Sequence, residues 1–173
     1  MRADCFINLG DIAFSEKRLD DAKNYYENAF KERLTEMQPI ARAHIGMAKV
    51  LIERRKFYDA FGNLDRAYEA SRTIGSKKHE AETYMLKGRI YELQNRLNDS
   101  LQSYGLAAFL FRGIGNISEM ASVERAVGEV YLKLRDGEHA EEHFKKAKEL
   151  FLYLSPSFDL KDIDEKIRMA QEL

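Results

Sequence analysis

One stretch near the end of the chain decides the fold. Residues 128–147 read GEVYLKLRDGEHAEEHFKKA. Small and aromatic residues recur in it at spacings of three, four and seven residues, the period of an α-helix. They are Gly128, Tyr131, Ala140, Phe144 and Ala147. A short polar segment ending in Gly137 separates the two groups, so the stretch predicts two helices joined by a tight turn.

The same pattern occurs four times along the chain. A small residue precedes an aromatic residue or leucine by four positions and an alanine by seven, and these leading residues are 38, 40 and 40 residues apart. The leading residues are Ala22, Ala60, Ser100 and Ala140. A second small residue lies twelve positions before each of them, at Gly10, Ala48, Gly88 and Gly128. One such hairpin cannot bury its apolar face alone, but a stack of hairpins can.

This pattern resembles the tetratricopeptide repeat, in which a Leu-Gly pair precedes a helix with an Ala–aromatic–Ala stripe. Leu9-Gly10, Ala22, Tyr26 and Ala29 carry the resemblance in the first copy. The resemblance implies an all-α fold: a right-handed superhelix of about four helical hairpins plus a C-terminal capping helix. We predict a single domain over 1–173. Its repeats are expected at about 3–38, 41–76, 81–116 and 121–154, with the capping helix at 158–173.

The repeats are longer than the common ~34 residues. They are similar to the longer repeats of Pins-type polarity adaptors, the maltose-regulon activator and bacterial peptide-pheromone receptors. The extra residues fall between copies, where Gly75 and Gly115 each follow a predicted helix and are typical of C-caps.

Composition excludes several classes of protein. The 173 residues are 45% hydrophobic with a net charge of −1, which favours neither disorder nor nucleic-acid binding. Cys5 is the only cysteine, so no disulfide scaffold is expected. The longest uncharged run, 100–111, is shorter than the ~20 residues of a membrane span. We therefore predict a cytoplasmic protein that contacts neither nucleic acid nor membrane.

The sequence contains one motif with catalytic associations. His139 to His143 read HAEEH, which matches the H-x-x-E-H signature of some zinc proteases. Both histidines flank the buried stripe of their helix, and a catalytic zinc site needs a third ligand and a cleft. We interpret the motif as a solvated helix face. No catalytic residue, metal site or cofactor is predicted, and the chain is not expected to be an enzyme.

Function is expected on the concave face, which the first helix of each hairpin lines. The predicted groove residues are Arg42, Ile45, Lys49, Ile52, Glu82, Met85, Arg89, Arg125 and Glu129. Their basic members form a spine that suits an extended or helical peptide, net acidic where it follows the spine. The alternative is that these charges pair with one another and only keep the surface soluble.

The expected function is a non-catalytic interaction scaffold that binds a protein or peptide in this groove. The alternative is a regulatory sensor that binds a small peptide or metabolite. Family members that hold chaperone tails use a Lys/Asn clamp, which is missing here. The matching positions are Ile7, Asp11, Gly46, Glu82 and Leu86. A second candidate surface lies around Phe109 and Leu110, one of which should point outward, and self-association is a further expectation.

Overall fold

The computed structural model describes residues 2–32 and 36–173, and all regular structure within them is helical. The helices are α1 (Arg2–Ser15), α2 (Leu19–Lys31), α3 (Met37–Glu53), α4 (Phe57–Thr73), α5 (Lys77–Leu93), α6 (Leu97–Gly113), α7 (Ile117–Lys133), α8 (Gly137–Leu154) and α9 (Lys161–Gln171). This confirms the predicted all-α helical repeat. The predicted end of the first repeat includes residues 33–35, which lie outside the described residues.

The chain divides into two compact units, Met1–Lys87 and Gly88–Leu173, and the division falls within α5. We call them unit 1 and unit 2. The single domain over 1–173 stays a prediction.

Close helix pairs explain the recurring small residues. A Cβ atom added to Gly128 would lie 2.7 Å from Cε1 of Phe144, which fills the space between α7 and α8. The same contact recurs between Gly88 and Tyr104, at 2.7 Å from Cδ1. Glycine at these positions therefore lets the two helices of a hairpin approach around one buried ring.

The second copy differs in its small residue. Ala48 is buried, but the close approach involves Gly46, whose added Cβ would collide with the Tyr26 ring. Gly10 of α1 faces the same ring, at 2.6 Å from Cε1. Tyr26 of α2 thus packs between α1 and α3 and joins one hairpin to the next.

Six helix ends share one backbone turn. Gly75 and Gly115 both have φ of +66°, which confirms the C-caps predicted there. The four turns inside hairpins have the same left-handed conformation without glycine. Their residues are Lys17, Arg55, Asn95 and Arg135, with φ of 55–61°. At Arg55 the backbone bonds of a Schellman motif run from the Lys56 amide to the Leu51 carbonyl (2.8 Å) and from the Arg55 amide to the Ile52 carbonyl (2.9 Å).

The last helix covers the preceding hairpin. Ile163 and Ala170 of α9 are buried against Ala140 and Phe144 of α8. The helix begins at Lys161, later than predicted, and Phe158 lies before it, stacked on Phe151 with ring centroids 4.6 Å apart. Among the helices in the described residues, none has both the length and the apolar content that crossing a bilayer requires.

Candidate functional site

Unit 1 contains a recess of about 280 Å³ formed by the first helices. Four of the predicted groove residues line it: Arg42, Ile45, Lys49 and Glu82. The rest of its lining is Asp11, Phe14, Tyr26, Gly46, Lys78 and His79. The two other predicted residues of unit 1, Ile52 and Met85, are not part of its lining; Ile52 is buried and Met85 is half-buried. The recess therefore has fewer apolar contributors than the sequence suggests.

The guanidinium group of Arg42, on α3, is held by side chains of α1. Its Nη2 donates to Oδ1 of Asn8 at 2.7 Å and to Oδ2 of Asp11 at 3.2 Å. Its Nη1 lies 3.9 Å from Oδ1 of Asp4. The Tyr26 hydroxyl donates to Oδ1 of Asp11 at 2.7 Å, and burial together with Asp11 raises the pKa of Tyr26. This network ties α1, α2 and α3 together at one side of the recess.

Lys49 has no such network. Within residues 2–32 and 36–173, its ammonium group forms neither a hydrogen bond nor an ion pair within 4 Å, although the side chain is half-buried. Its charge acts on the carboxyl group of Glu82, which lines the same recess. Burial raises the pKa of Glu82, and the ammonium groups of Lys49 and Lys78 offset only part of that effect. Lys49 thus offers a cation at the recess whose donors are unused.

His79 is a further polar residue in the lining of the recess. His79 is buried, with Nδ1 2.9 Å from the Ser76 hydroxyl. Burial lowers the pKa of His79, and the positive charges of Lys78 and Arg42 lower it further. Sequence reasoning missed His79 and Lys78, although they lie three and four positions before Glu82 and so share its side of α5.

Unit 2 uses its charges in a different way. The Glu92 side chain is only 1% exposed, and its carboxylate accepts from Lys133 at 2.5 Å, Arg89 at 3.0 Å and Tyr104 at 3.1 Å. Burial alone would raise the pKa of Glu92, but Lys133 and Arg89 lower it overall. Arg89, a predicted groove cation, is therefore partly committed to a buried carboxylate.

The other predicted residues of unit 2 are also paired. Arg125 donates to Glu129 at 3.3 Å and lies 3.9 Å from Asp162. Lys166 of α9 donates to both carboxylates, at 2.7 Å and 2.9 Å. Of the four cations in the predicted spine, Arg42, Arg89 and Arg125 thus have carboxylate partners, as the alternative of mutual pairing supposes. Lys49 has none among the residues that the structure describes.

Each histidine of the HAEEH motif lies next to a carboxylate group. Nδ1 of His139 lies 2.8 Å from Asp136, and Nδ1 of His143 lies 2.7 Å from Glu124. Both imidazoles stack on the ring of Tyr131, at 5.1 Å and 5.4 Å between centroids. In the described part of the chain, no group of three or more His, Cys, Asp or Glu residues is arranged to hold a metal ion.

The second predicted surface lies in unit 2. Phe109 is 73% exposed and Leu106 is 44% exposed, which confirms that an apolar residue of this segment points outward. Beside Phe109 is a recess of about 350 Å³ whose lining includes Val123, Val127 and Arg112. Side chains of α6, α7 and α8 line it, and none of them is a predicted groove residue.

Comparison with known proteins supports the repeat. The family model of the tetratricopeptide repeat matches residues 3–34, the first of the four copies. No curated protein matches the chain.

Solved structures share the fold at low sequence identity. The crystal structure of BtubC (BKLC) from P. vanneervenii superposes with a TM-score of 0.75 at 19% identity, over 91% of this chain and 65% of that one. The apo form of RapI gives 0.75 at 19% identity, over 86% of this chain and 55% of that one. YrrB, described as a TPR protein with an unusual peptide-binding site, gives 0.57 at 16% identity, over 99% of this chain and 75% of that one. This chain spans between half and two thirds of the length of the first two structures.

Proposed function

We propose that this chain, whose first copy matches the model of the tetratricopeptide repeat, acts as a non-catalytic scaffold that binds a partner protein or peptide through its first helices. The proposal places the anchor in the recess of unit 1. One observation carries it: the Lys49 ammonium group has no hydrogen-bond or ion-pair partner among the described residues, whereas the three other cations of the spine have carboxylate partners.

The chemistry of the recess suggests what the anchor would hold. A carboxylate accepting from Lys49 would form a charge-assisted hydrogen bond, about twice as strong as a neutral one. Phe14 and Ile45 line the same recess and would contact an apolar side chain. We therefore propose a ligand segment in which an acidic group lies next to an aliphatic or aromatic side chain.

The remaining predicted residues keep a secondary place in the proposal. Met85 of unit 1 and, in unit 2, Arg89, Arg125 and Glu129 are proposed contacts. The two arginines are each more than 40% exposed and already paired, so a ligand would gain little by exchanging their partners. Cytoplasmic location and lack of nucleic-acid binding stay predictions.

The alternative, a sensor for a small metabolite, draws less support from the recess. Its volume of about 280 Å³ is below the ~300–1,000 Å³ typical of small-molecule sites, and charged side chains make up half of its lining. A site of this size suits one or two peptide side chains better than a whole metabolite. A metabolite that raised the thermal midpoint in the wild type and not in Lys49→Met would favour the sensor.

The test uses a synthetic peptide array in which an acidic residue stands beside Phe, Leu or Ile, and each sequence is made with a free and an amidated C-terminus. Peptides retained by the wild type are measured by fluorescence polarisation against Lys49→Met. The matched control is Lys56→Met, because Lys56 lies exposed in the turn before α4. We expect Lys49→Met to weaken binding about tenfold, which is ~1.4 kcal/mol, and Lys56→Met to leave it unchanged. Equal affinities for all three proteins would remove the recess as the anchor.

A further inference from the structure

The first helix of every hairpin carries the same three-residue stripe. Relative to α1, it recurs at offsets of 38, 78, 118 and 158 residues, so α9 falls in the same series. The five stripes are Cys5, Leu9, Ile12; Ala43, Met47, Val50; Thr83, Lys87, Ile90; Val123, Val127, Val130; and Ile163, Ile167, Ala170. α9 is thus placed as the first helix of a fifth repeat.

The stripe is interior in every helix but the first. All three members are buried in α3 and in α7, and the two outer members are buried in α5 and in α9. In α1, by contrast, Leu9 is 41% exposed, Ile12 is 51% exposed and Cys5 is exposed. A stripe that is apolar in α1, α3, α7 and α9 therefore lies open only on α1 among these four helices.

The other copies show what covers this stripe. α3 packs on α2, α7 on α6 and α9 on α8, each of which is the second helix of the preceding hairpin. That helix contributes its aromatic stripe. Next to the stripe of α3, the Tyr26 ring of α2 meets Gly46, and Phe30 stacks on His44 with centroids 4.6 Å apart. At α9, the cover is Ala140 and Phe144.

α1 and α9 differ in the residues that they present on their open sides. In the series of Gly88 and Gly128, the next position 40 residues on is Arg168, which is exposed. A long charged side chain there cannot accept the ring of a second helix in the way that Gly88 and Gly128 do. α1 has no such substitution, because the residues on its open side keep interior character.

We propose that the open stripe of α1, formed by Cys5, Leu9 and Ile12, is a docking surface for the second helix of a further helical hairpin of the same repeat type. The small–aromatic stripe of that helix would cover α1 as α2 covers α3. This goes beyond the proposed peptide scaffold and does not depend on the recess. Two half-exposed aliphatic side chains offer far less area than the ~1,000 Å² of a stable dimer. A hairpin is favoured over a second α1 because the equivalent stripe of α9 is covered by Ala140 and Phe144, residues of the second helix of a hairpin.

The test extends the full chain by one hairpin in register. A copy of residues 77–118, which contains α5, α6 and the following turn, is joined directly to Met1. In the extended chain Cys5 follows the inserted Thr83 by 40 residues, the spacing between Thr83 and Val123 in the original chain. We expect a higher urea midpoint and at least about tenfold slower hydrogen exchange of the α1 amides, because α1 ceases to be a terminal helix. Leu9→Glu should abolish both gains in the extended chain, while costing little in the chain without the extension.

The control is Leu134→Glu, which places the same charge on a leucine of equal exposure, 41%, at the end of α7. It should leave both gains intact. A second extension, made from residues 37–78, keeps the register and guards against failure of the first hairpin to fold. The proposal is overturned if neither extension protects α1, or if Leu9→Glu leaves the protection unchanged. It is also overturned if the unextended chain sediments as a dimer that Leu9→Glu alone dissociates, since the occupant would then be a second copy.

Discussion

The recess of unit 1 and the Glu92 cluster of unit 2 use the same residue types for different ends. In unit 2 the Glu92 carboxylate is 1% exposed and accepts from three donors. In unit 1 Asp11 is 49% exposed, and Lys49 has no hydrogen-bond or ion-pair partner in the described residues. A charge on a first helix is therefore available for binding only where the fold has not already satisfied it.

The sharpest way to break this comparison is to remove two cations from each unit. Arg89→Met with Lys133→Met leaves the Glu92 carboxylate buried without a cation, and we expect unit 2 to lose about 3–5 kcal/mol. Arg42→Met with Lys49→Met leaves Asp11 hydrated, so unit 1 should lose less than about 1 kcal/mol. Hydrogen exchange read separately in each unit measures the two losses.

A rescue variant tests the cause. Adding Glu92→Gln to the unit 2 pair removes the buried charge and should restore most of the lost protection. If the two double variants cost the same, or if Glu92→Gln restores nothing, burial of the carboxylate is not what separates the units.

The next effect concerns the close contacts between a glycine of one helix and a buried aromatic ring of its neighbour. Gly46→Ala forces the Tyr26 ring away and breaks its hydrogen bond to Asp11, so we expect a loss of about 2 kcal/mol. Gly128→Ala displaces the apolar ring of Phe144, which has no hydrogen bond to lose, and should cost about 1 kcal/mol. Urea unfolding compares them, and equal losses would show that the Tyr26 bond adds nothing to packing.

Much of the fold could be predicted because it rests on local spacing. The stripe around Phe144 fixes two helices by its helical period, and Gly75 and Gly115 mark the ends of others by a conformation that glycine favours. The close contact at Gly46 could not be predicted from the repeat pattern. Gly46 belongs to α3 and meets the ring of Tyr26, which lies in the preceding hairpin, twenty residues earlier in the chain.

The candidate site could be predicted only in part. Helical spacing placed Arg42, Lys49 and Glu82 on one side, and the structure brings them to one recess. Which of them is already paired depends on contacts across helices. Arg42 meets Asp11 over 31 residues, and Lys133 meets Glu92 over 41. No local pattern carries that information, so the sequence could not distinguish Lys49 from the other cations.

Acid titration sharpens the comparison with effects of opposite sign. The folded-state pKa of Glu92 lies below its unfolded value, so its stabilisation is present above the unfolded pKa and is lost as pH falls through the folded one. Burial raises the pKa of Glu82, so this group destabilises unit 1 at neutral pH and stops doing so below its unfolded pKa.

The matched variants are Glu92→Gln and Glu82→Gln. At pH 7 the first should destabilise unit 2 by about 1–2 kcal/mol, and the second should stabilise unit 1 by less than about 1 kcal/mol. Both differences should shrink as pH falls from 7 towards 3, that of Glu82 at higher pH than that of Glu92, because the pKa of Glu82 is raised and that of Glu92 is lowered. Urea midpoints measured from pH 3 to 7 give the sign directly, and the same sign for both variants would contradict the assigned environments.

The smallest effect tests whether the two units differ in their side chains alone. Arg55 in unit 1 and Arg135 in unit 2 hold the same left-handed turn, with φ of 55° and 58°. Glycine adopts this conformation without the steric cost that a Cβ imposes, so Arg55→Gly and Arg135→Gly should each stabilise the chain by about 0.5–1 kcal/mol. The control is Arg66→Gly inside α4, which should destabilise by about 1 kcal/mol because the helical conformation there gains nothing from glycine. Equal gains at Arg55 and Arg135 would mean that the backbone repeats faithfully from one unit to the other. The contrast between the recess and the Glu92 cluster would then be set by the side chains that each unit places on a common frame.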